Sequence, residues 1–265
     1  MIDTIFSLVS VFPFSFLIYS WSERELARHE SRVGKDIALP AFIWQTWIDT
    51  LLEVKVRKSS WYWVLFTFQC SLPFVCGIRF EYLVFPWLAL VGFTLVASES
   101  GAGKVFERID SDQKQVSFAI SSAVALLCLL GAFALSGNAD LGAAMWSPLH
   151  LFFVIPFQIA GMILFQEHPF RGFLEKASWL ESVRFYGWCM VTTRVFLGGG
   201  EYFFDTNLKT SALFMGSRVL AVYFPRMRQK DLLKIGVMYF LPLTGALWLM
   251  VMLVLALTAG GGVNG

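Results

Sequence analysis

Long apolar runs, each about the length needed to cross a lipid bilayer, succeed one another along this chain with only short polar breaks between them. Hydrocarbon offers the backbone no water, so a segment that enters it must close its own hydrogen bonds as a helix, and about 20 residues complete the crossing. Stretches of that kind fall near 3–21, 61–79, 81–98, 115–135, 149–167, 179–198, 207–224 and 235–258. The expected fold is all-α: a polytopic integral membrane protein of about eight transmembrane helices, with residues 1–265 forming a single membrane domain. Charged residues make up 15% of the chain against about 25% in soluble domains, and the spans leave no segment to build a soluble unit. The first stretch does not read as a cleavable signal peptide. No basic residue precedes it, and Glu23-Arg24-Glu25 follows where a small-residue cleavage site is required.

The cations set the expected orientation. Arg24, Arg28, Arg32, Lys35, Lys55, Arg57 and Lys58 follow the first stretch, and Lys104, Arg108 and Lys114 follow the third. Arg171 and Lys176 follow the fifth, and Arg226, Arg228, Lys230 and Lys234 follow the seventh. The alternate breaks offer Arg79, with Lys209 at a boundary. Short basic loops stay on the cytoplasmic side, so both termini are expected on the non-cytoplasmic side, and the compact length suits a bacterial inner membrane. The same cations either fix topology alone or also meet anionic lipid or an acidic partner. Trp21, Trp61, Trp87, Trp146 and Trp179 fall at the expected interfaces, as aromatic belts do. The lipid bilayer is thus the first partner, and no nucleic-acid partner is expected.

Metal and redox chemistry find little footing. Cys70, Cys76, Cys128 and Cys189 all lie within expected spans without a C-x-x-C pair, whereas an iron–sulfur cluster needs four thiolates within reach of one another. His29, His150 and His168 do not form a same-height pair for haem. No metal site, catalytic residue or covalently bound cofactor is expected. Ser98 to Lys104 has the outline of a phosphate loop, but the first glycine, the closing Ser/Thr and a preceding strand are missing, and a plain turn suffices.

Residues 41–54 differ from the spans. Ile43, Trp44, Trp47, Ile48, Leu51 and Leu52 recur at helical spacing, while Gln45, Asp49 and Glu53 take the other side. This predicts an amphipathic helix at the cytoplasmic surface, started by Pro40 and lying on lipid or against neighbouring helices or a partner. Within the spans the charges that need explaining are Arg184, Arg194 and Arg218, since each costs several kcal/mol unless paired or hydrated. Arg184 is near enough to a span end to snorkel; Arg194 and Arg218 lie deeper and need acceptors or water. Glu167 and Glu181 sit at cytoplasmic ends, and no acid stands clearly in mid-span, so a complete carboxylate relay is not expected within this chain.

Several segments, taken in order, resemble one family: the H-type membrane subunit of respiratory complex I (NADH–quinone oxidoreductase), with the related membrane subunits of energy-converting hydrogenases. Leu208 to Leu243 resembles the family's penultimate helix, Pro-Arg-x-Arg turn and Leu-Pro-bearing last helix, with Pro225, Arg226, Arg228, Gly236 and Pro242 in the matching places. Residues 151–170 resemble its fifth helix and Pro-Phe loop, and Val195 to Gly199 resembles the Phe-Leu-Gly-Gly that ends its sixth. Ser22 to Gly34 is similar to its Glu-Arg…Arg-x-Gly turn, and Gln45-x-x-x-Asp49 to its surface-helix motif. The chain departs from the family where acids are concerned. Arg171 follows Pro-Phe where the family has Asp, about twenty residues of an acid-rich loop are absent, Ala119 stands for a buried Glu, and Leu52 for a Lys.

The resemblance implies a membrane component of a complex I-related assembly, partnered by other membrane and peripheral subunits and not catalytic alone. Glu23, Arg24, Arg28 and Arg32, with Gln45, Asp49, Arg226 and Arg228, would form the floor on which a peripheral arm docks, because arginines bind carboxylates bidentately and keep their charge when partly buried. It also implies quinone as the ligand, in a chamber between the first and sixth spans and the surface helix, with Phe14, Phe16, Trp44 and Trp47 as candidates, and part of an ion-translocation path. Two other readings stand beside it. One is a non-catalytic structural or assembly subunit whose quinone and proton paths have decayed, as the lost acids suggest. The other is a transport module in which Arg194 and Arg218 bind an anion.

Overall fold

The structure, a computed structural model, describes residues 2–29, 39–56, 105–136, 148–165, 179–198, 203–223, 231 and 234–261. Every element among them is helical, and no strand occurs among the described residues. The elements are α1 (Ile2–His29), α2 (Leu39–Val56), α3 (Val105–Ser136), a 3₁₀ turn at Pro148–His150 leading into α4 (Leu151–Leu164), α5 (Trp179–Phe196), α6 (Phe203–Tyr223), and a π-helical turn at Gly236–Phe240 leading into α7 (Leu241–Gly261). Six of the eight expected stretches coincide with these helices. Those near 61–79 and 81–98 lie outside the described residues.

Among the described residues two stretches, Gln115–Ser136 and Gly236–Leu257, are long and apolar enough to cross a membrane by length and composition, and Pro148–Leu164 is a shorter apolar helix. α5 and α6 are less apolar because α5 carries Glu181, Arg184 and Arg194 and α6 carries Asp205, Lys209 and Arg218. Of these two, α5 is the one the bundle encloses, whereas α6 leaves Leu208, Met215 and Leu220 exposed. α4 packs between α3 and α5, α7 lies against α3, and α6 and α1 close on α5 from the other side. α2 rests on α1 and touches α5.

The centre of the bundle is aromatic. Trp188 stacks on Phe157 with ring centroids 4.2 Å apart, and Phe196, Phe165, Phe185 and Phe214 continue the cluster at centroid separations of 4.9–6.4 Å. Two glycines let these rings in. A Cβ on Gly161 would lie 2.2 Å from Trp188 Nε1, and one on Gly131 would lie 2.5 Å from the Phe153 ring. The glycine surface of α4 therefore lets Trp188 lie close enough for its indole N–H to donate to the Phe157 carbonyl at 3.1 Å. Such close backbone approach is what small residues provide between helices that have no water-driven attraction.

Helix ends depart from the expected spans in two places. α1 runs to His29, well beyond residue 21, so Ser22 to Arg28 is helix where a loop is expected. Good helix formers (Glu23, Arg24, Glu25, Leu26, Ala27, Arg28) continue the backbone past the apolar run, and the Glu25 carboxylate accepts from Arg28 across one turn at 3.0 Å. α3 likewise begins at Val105, ten residues before its apolar stretch.

Candidate functional site

α1, α5 and α6 meet around one guanidinium. Arg218, near the C-terminal end of α6, is 5% exposed, and its Nη2 donates to the Glu23 carboxylate of α1. Nη1 donates to Ser182 Oγ on α5 at 2.8 Å. The flat cation also lies over two rings, 4.9 Å from the centroid of Tyr19 and 5.7 Å from that of Phe214. A buried charge is tolerable when it is both paired and hydrogen-bonded, and Arg218 has both, plus the ring faces. The acceptors that the sequence demands for Arg218 are therefore in place. The acid that supplies them is Glu23, expected on an arm-docking floor. Extending α1 beyond its apolar run places this carboxylate, 19% exposed, against a residue 195 positions away in sequence.

The remaining charged candidates are positioned as follows. Arg28 is half-exposed and pairs with Glu25, an interaction worth little at a surface, while Arg24 is half-buried one residue beyond Glu23. Arg184 holds its guanidinium 5.9 Å from the Phe165 ring, beside the C-terminal end of α4. Arg194 falls in the last turn of α5, with Gly198 at φ 74° shortly beyond. Both cations thus sit by helix C-termini, where the dipole favours positive charge. Gln45 and Asp49 are exposed on α2. Arg32, Glu167, Arg226 and Arg228 lie outside the described residues, as does the side chain of Glu181.

Beside the ion pair, α1, α2 and α5 form an aromatic corner. Phe16 meets Trp47 edge-on at 5.9 Å and Trp179 edge-on at 5.1 Å. Trp179 Nε1 donates to the buried Ser15 hydroxyl at 3.3 Å. Phe14, Leu17 and Trp44 remain exposed around it, Trp44 at 66%. The elements that meet here, α2, α1 and α5, are those expected from the sequence as the surface helix, the first span and the sixth, the three named for an apolar slot. Four candidate aromatics lie on them, two of which, Phe16 and Trp47, are in ring contact. The apolar stripe of α2 is otherwise open, with Ile48, Leu51 and Leu52 exposed.

A second polar group, which the sequence reading passes over, lies deeper. Gln158, alone and polar in the apolar run of α4, is 7% exposed. Its Nε2 donates to Ser217 Oγ of α6 at 2.9 Å and to Cys189 Sγ of α5 at 3.0 Å, and its Oε1 accepts from Thr192 Oγ1 at 3.1 Å. Further along α5 and α6, Thr210 Oγ1 lies 3.3 Å from Thr193 Oγ1, and Tyr186 and Ser211 share a hydrogen bond at 3.0 Å. The signal in the sequence was the isolated amide itself. A buried polar group in an apolar helix must find partners, and Gln158 joins three helices to do so.

No protein-family description and no curated protein matches the chain. Among solved structures, one similar chain belongs to the membrane-bound sulfane sulfur reductase, an archaeal respiratory membrane complex. The two chains are 14% identical, superpose with a TM-score of 0.69, and the match covers 94% of this chain and 98% of the other. At that identity the match speaks for the fold, and over nearly its whole length the chain has the fold of a component of that respiratory membrane complex.

Proposed function

We propose that this chain is the membrane component that anchors the peripheral arm of a multi-subunit, complex I-related respiratory assembly. The observation that carries the reading is the end-to-end likeness to a chain of a respiratory membrane complex, with neither protein left over by more than a few per cent. A fold alone hosts many functions, so the site supplies the rest. The cations of the first and last basic loops would face the arm, with Arg24 and Arg28 on the projecting end of α1, and Arg32, Arg226 and Arg228 beyond it. Glu23 takes a different part in this scheme: with Arg218 it braces the floor from beneath. The aromatic corner of Phe14, Phe16, Trp44 and Trp47 is the slot for the apolar tail of a quinone. Whichever ion path the assembly uses, this chain would contribute Glu23 as its buried acid.

A second reading, a structural subunit without quinone or proton traffic, draws support from the neutral amide and hydroxyl groups that occupy the bundle where carboxylates would serve a relay. The anion-transport reading is weakened, because Glu23 already neutralises Arg218 and Arg194 stands at a helix end.

Gentle affinity purification of the tagged chain from its own membrane separates these readings. Iron–sulfur or antiporter-like subunits together with extractable quinone are expected. Partners without quinone favour the structural subunit, and purification of the chain alone sinks the assembly. In the same preparation, Arg226→Glu and Arg228→Glu should shed peripheral partners while the membrane partners stay; full retention of the arm would remove these arginines from the docking floor.

A further inference from the structure

The deep polar group around Gln158 raises a question about protons, because it begins one residue from Arg218 and continues along α5 and α6 toward the opposite end of the bundle. A chain of side chains passes protons only if each member can accept on one side, donate on the other, and then turn. The four hydroxyls of Ser217, Thr192, Thr193 and Thr210 are not set to do so. Ser217 Oγ gives its proton to the Leu213 carbonyl of its own helix at 2.8 Å. Thr193 gives its proton to Cys189 O at 2.9 Å, and Thr210 to Thr206 O at 2.7 Å. The single proton of Thr192 is shared between Trp188 O at 2.9 Å and Gln158 Oε1 at 3.1 Å. Backbone carbonyls end the line, since they accept and cannot pass a proton on.

These commitments also fix which way the amide points. Ser217, its proton spent, can only accept, so the Gln158 nitrogen must face it, and the Thr192 hydroxyl must face the amide oxygen. Both Gln158 N–H groups are then engaged, and the amide has no exchangeable position left that a neutral group could use for relay.

We propose that Gln158 is a proton-tight plug, filling and orienting the polar seam between α4, α5 and α6 so that the Glu23–Arg218 pair exchanges protons with one side of the membrane only. This rests on the membrane-component reading above. The plug works by occupancy as much as by chemistry. A hollow lined by Ser217, Thr192 and Cys189 is polar and offers the two to four partners that hold a water, and water does what the amide cannot.

The test uses the full chain in sealed vesicles carrying an internal pH dye, with a potassium diffusion potential to drive passive proton entry. Wild type should match protein-free vesicles. Gln158→Ala should raise proton entry several-fold. Gln158→Met should stay tight, because it fills the same space with an unbranched chain and each hydroxyl keeps its carbonyl. Gln158→Ser replaces the alanine variant should that one fail to insert. A leaking wild type, equal leaks from the alanine and methionine variants, or tight vesicles for every variant each overturns the plug. Alkaline extraction distinguishes the two levels of failure. A chain stripped from the vesicles by alkali refutes the membrane reading and the plug with it, whereas an embedded chain that leaks as wild type refutes the plug alone.

Discussion

Arg218 shows how little of a buried charge is legible until its partner is known. The residue stands out in the sequence as a cation in an apolar helix, and the need for an acceptor follows from desolvation alone. Glu23 also stands out, but as one of a run of loop charges, and nothing in local sequence joins positions 195 apart. The pairing makes a double-substitution prediction. Arg218→Leu leaves a carboxylate enclosed without its cation and should cost about 3–5 kcal/mol, whereas replacing both members with leucine should recover most of that loss. Thermal unfolding in detergent reads the difference. If the double variant is as unstable as the single one, Arg218 is held by Ser182, Tyr19 and Phe214 and not by the acid. Gln158 teaches the complementary lesson: a lone polar residue in an apolar run is visible in the sequence, yet its three partners lie on two other helices and cannot be guessed from spacing.

At the scale of helices, the apolar runs were legible because hydropathy and length decide where a helix is buried. Their ends were not, since Glu, Arg, Leu and Ala extend α1, and Glu, Arg, Gln and Lys extend α3, beyond the apolar run as readily as they would leave it. The start of the last helix was equally silent. Pro242 has no N–H for the Met238 carbonyl, the preceding turn relaxes to π at Gly236–Phe240, and the Thr244 hydroxyl donates to Phe240 O at 2.7 Å with Leu241 O at 3.0 Å. Glycines offer a sharper test of helix packing. Gly161→Ala would press a methyl into the Trp188 indole and should lower stability by about 1–3 kcal/mol. Gly216, with nothing within 4 Å of an added Cβ, should accept alanine with a gain of about 0.5–1 kcal/mol from helix propensity. Equal effects of the two substitutions would mean that α4 and α5 do not approach through Gly161.

For the whole molecule, the alternation of basic breaks with nearly charge-free ones translates into a sidedness that can be measured. Asp205 stands in the first turn of α6, where its carboxylate meets Lys209 at 3.0 Å, and Asp231 is exposed just before the last helix. Single cysteines placed at these two positions should be labelled by a membrane-impermeant maleimide from opposite sides, Asp205→Cys from outside in intact spheroplasts and Asp231→Cys in inverted vesicles. Labelling of both from one side would refute the expected topology. The joining of Glu23 to Arg218 has a further consequence in time. A ribosome adding about 5–20 residues per second needs roughly 10–40 s to reach Arg218 after making Glu23. Throughout that interval the first helix carries an unmatched acid. Because Glu23 lies near the helix end, water and headgroups can hold it during the wait, and the arginine, arriving late and deep, finds its counter-ion already stationed. The order of the two charges along the chain thus has the acid made before the one cation it neutralises.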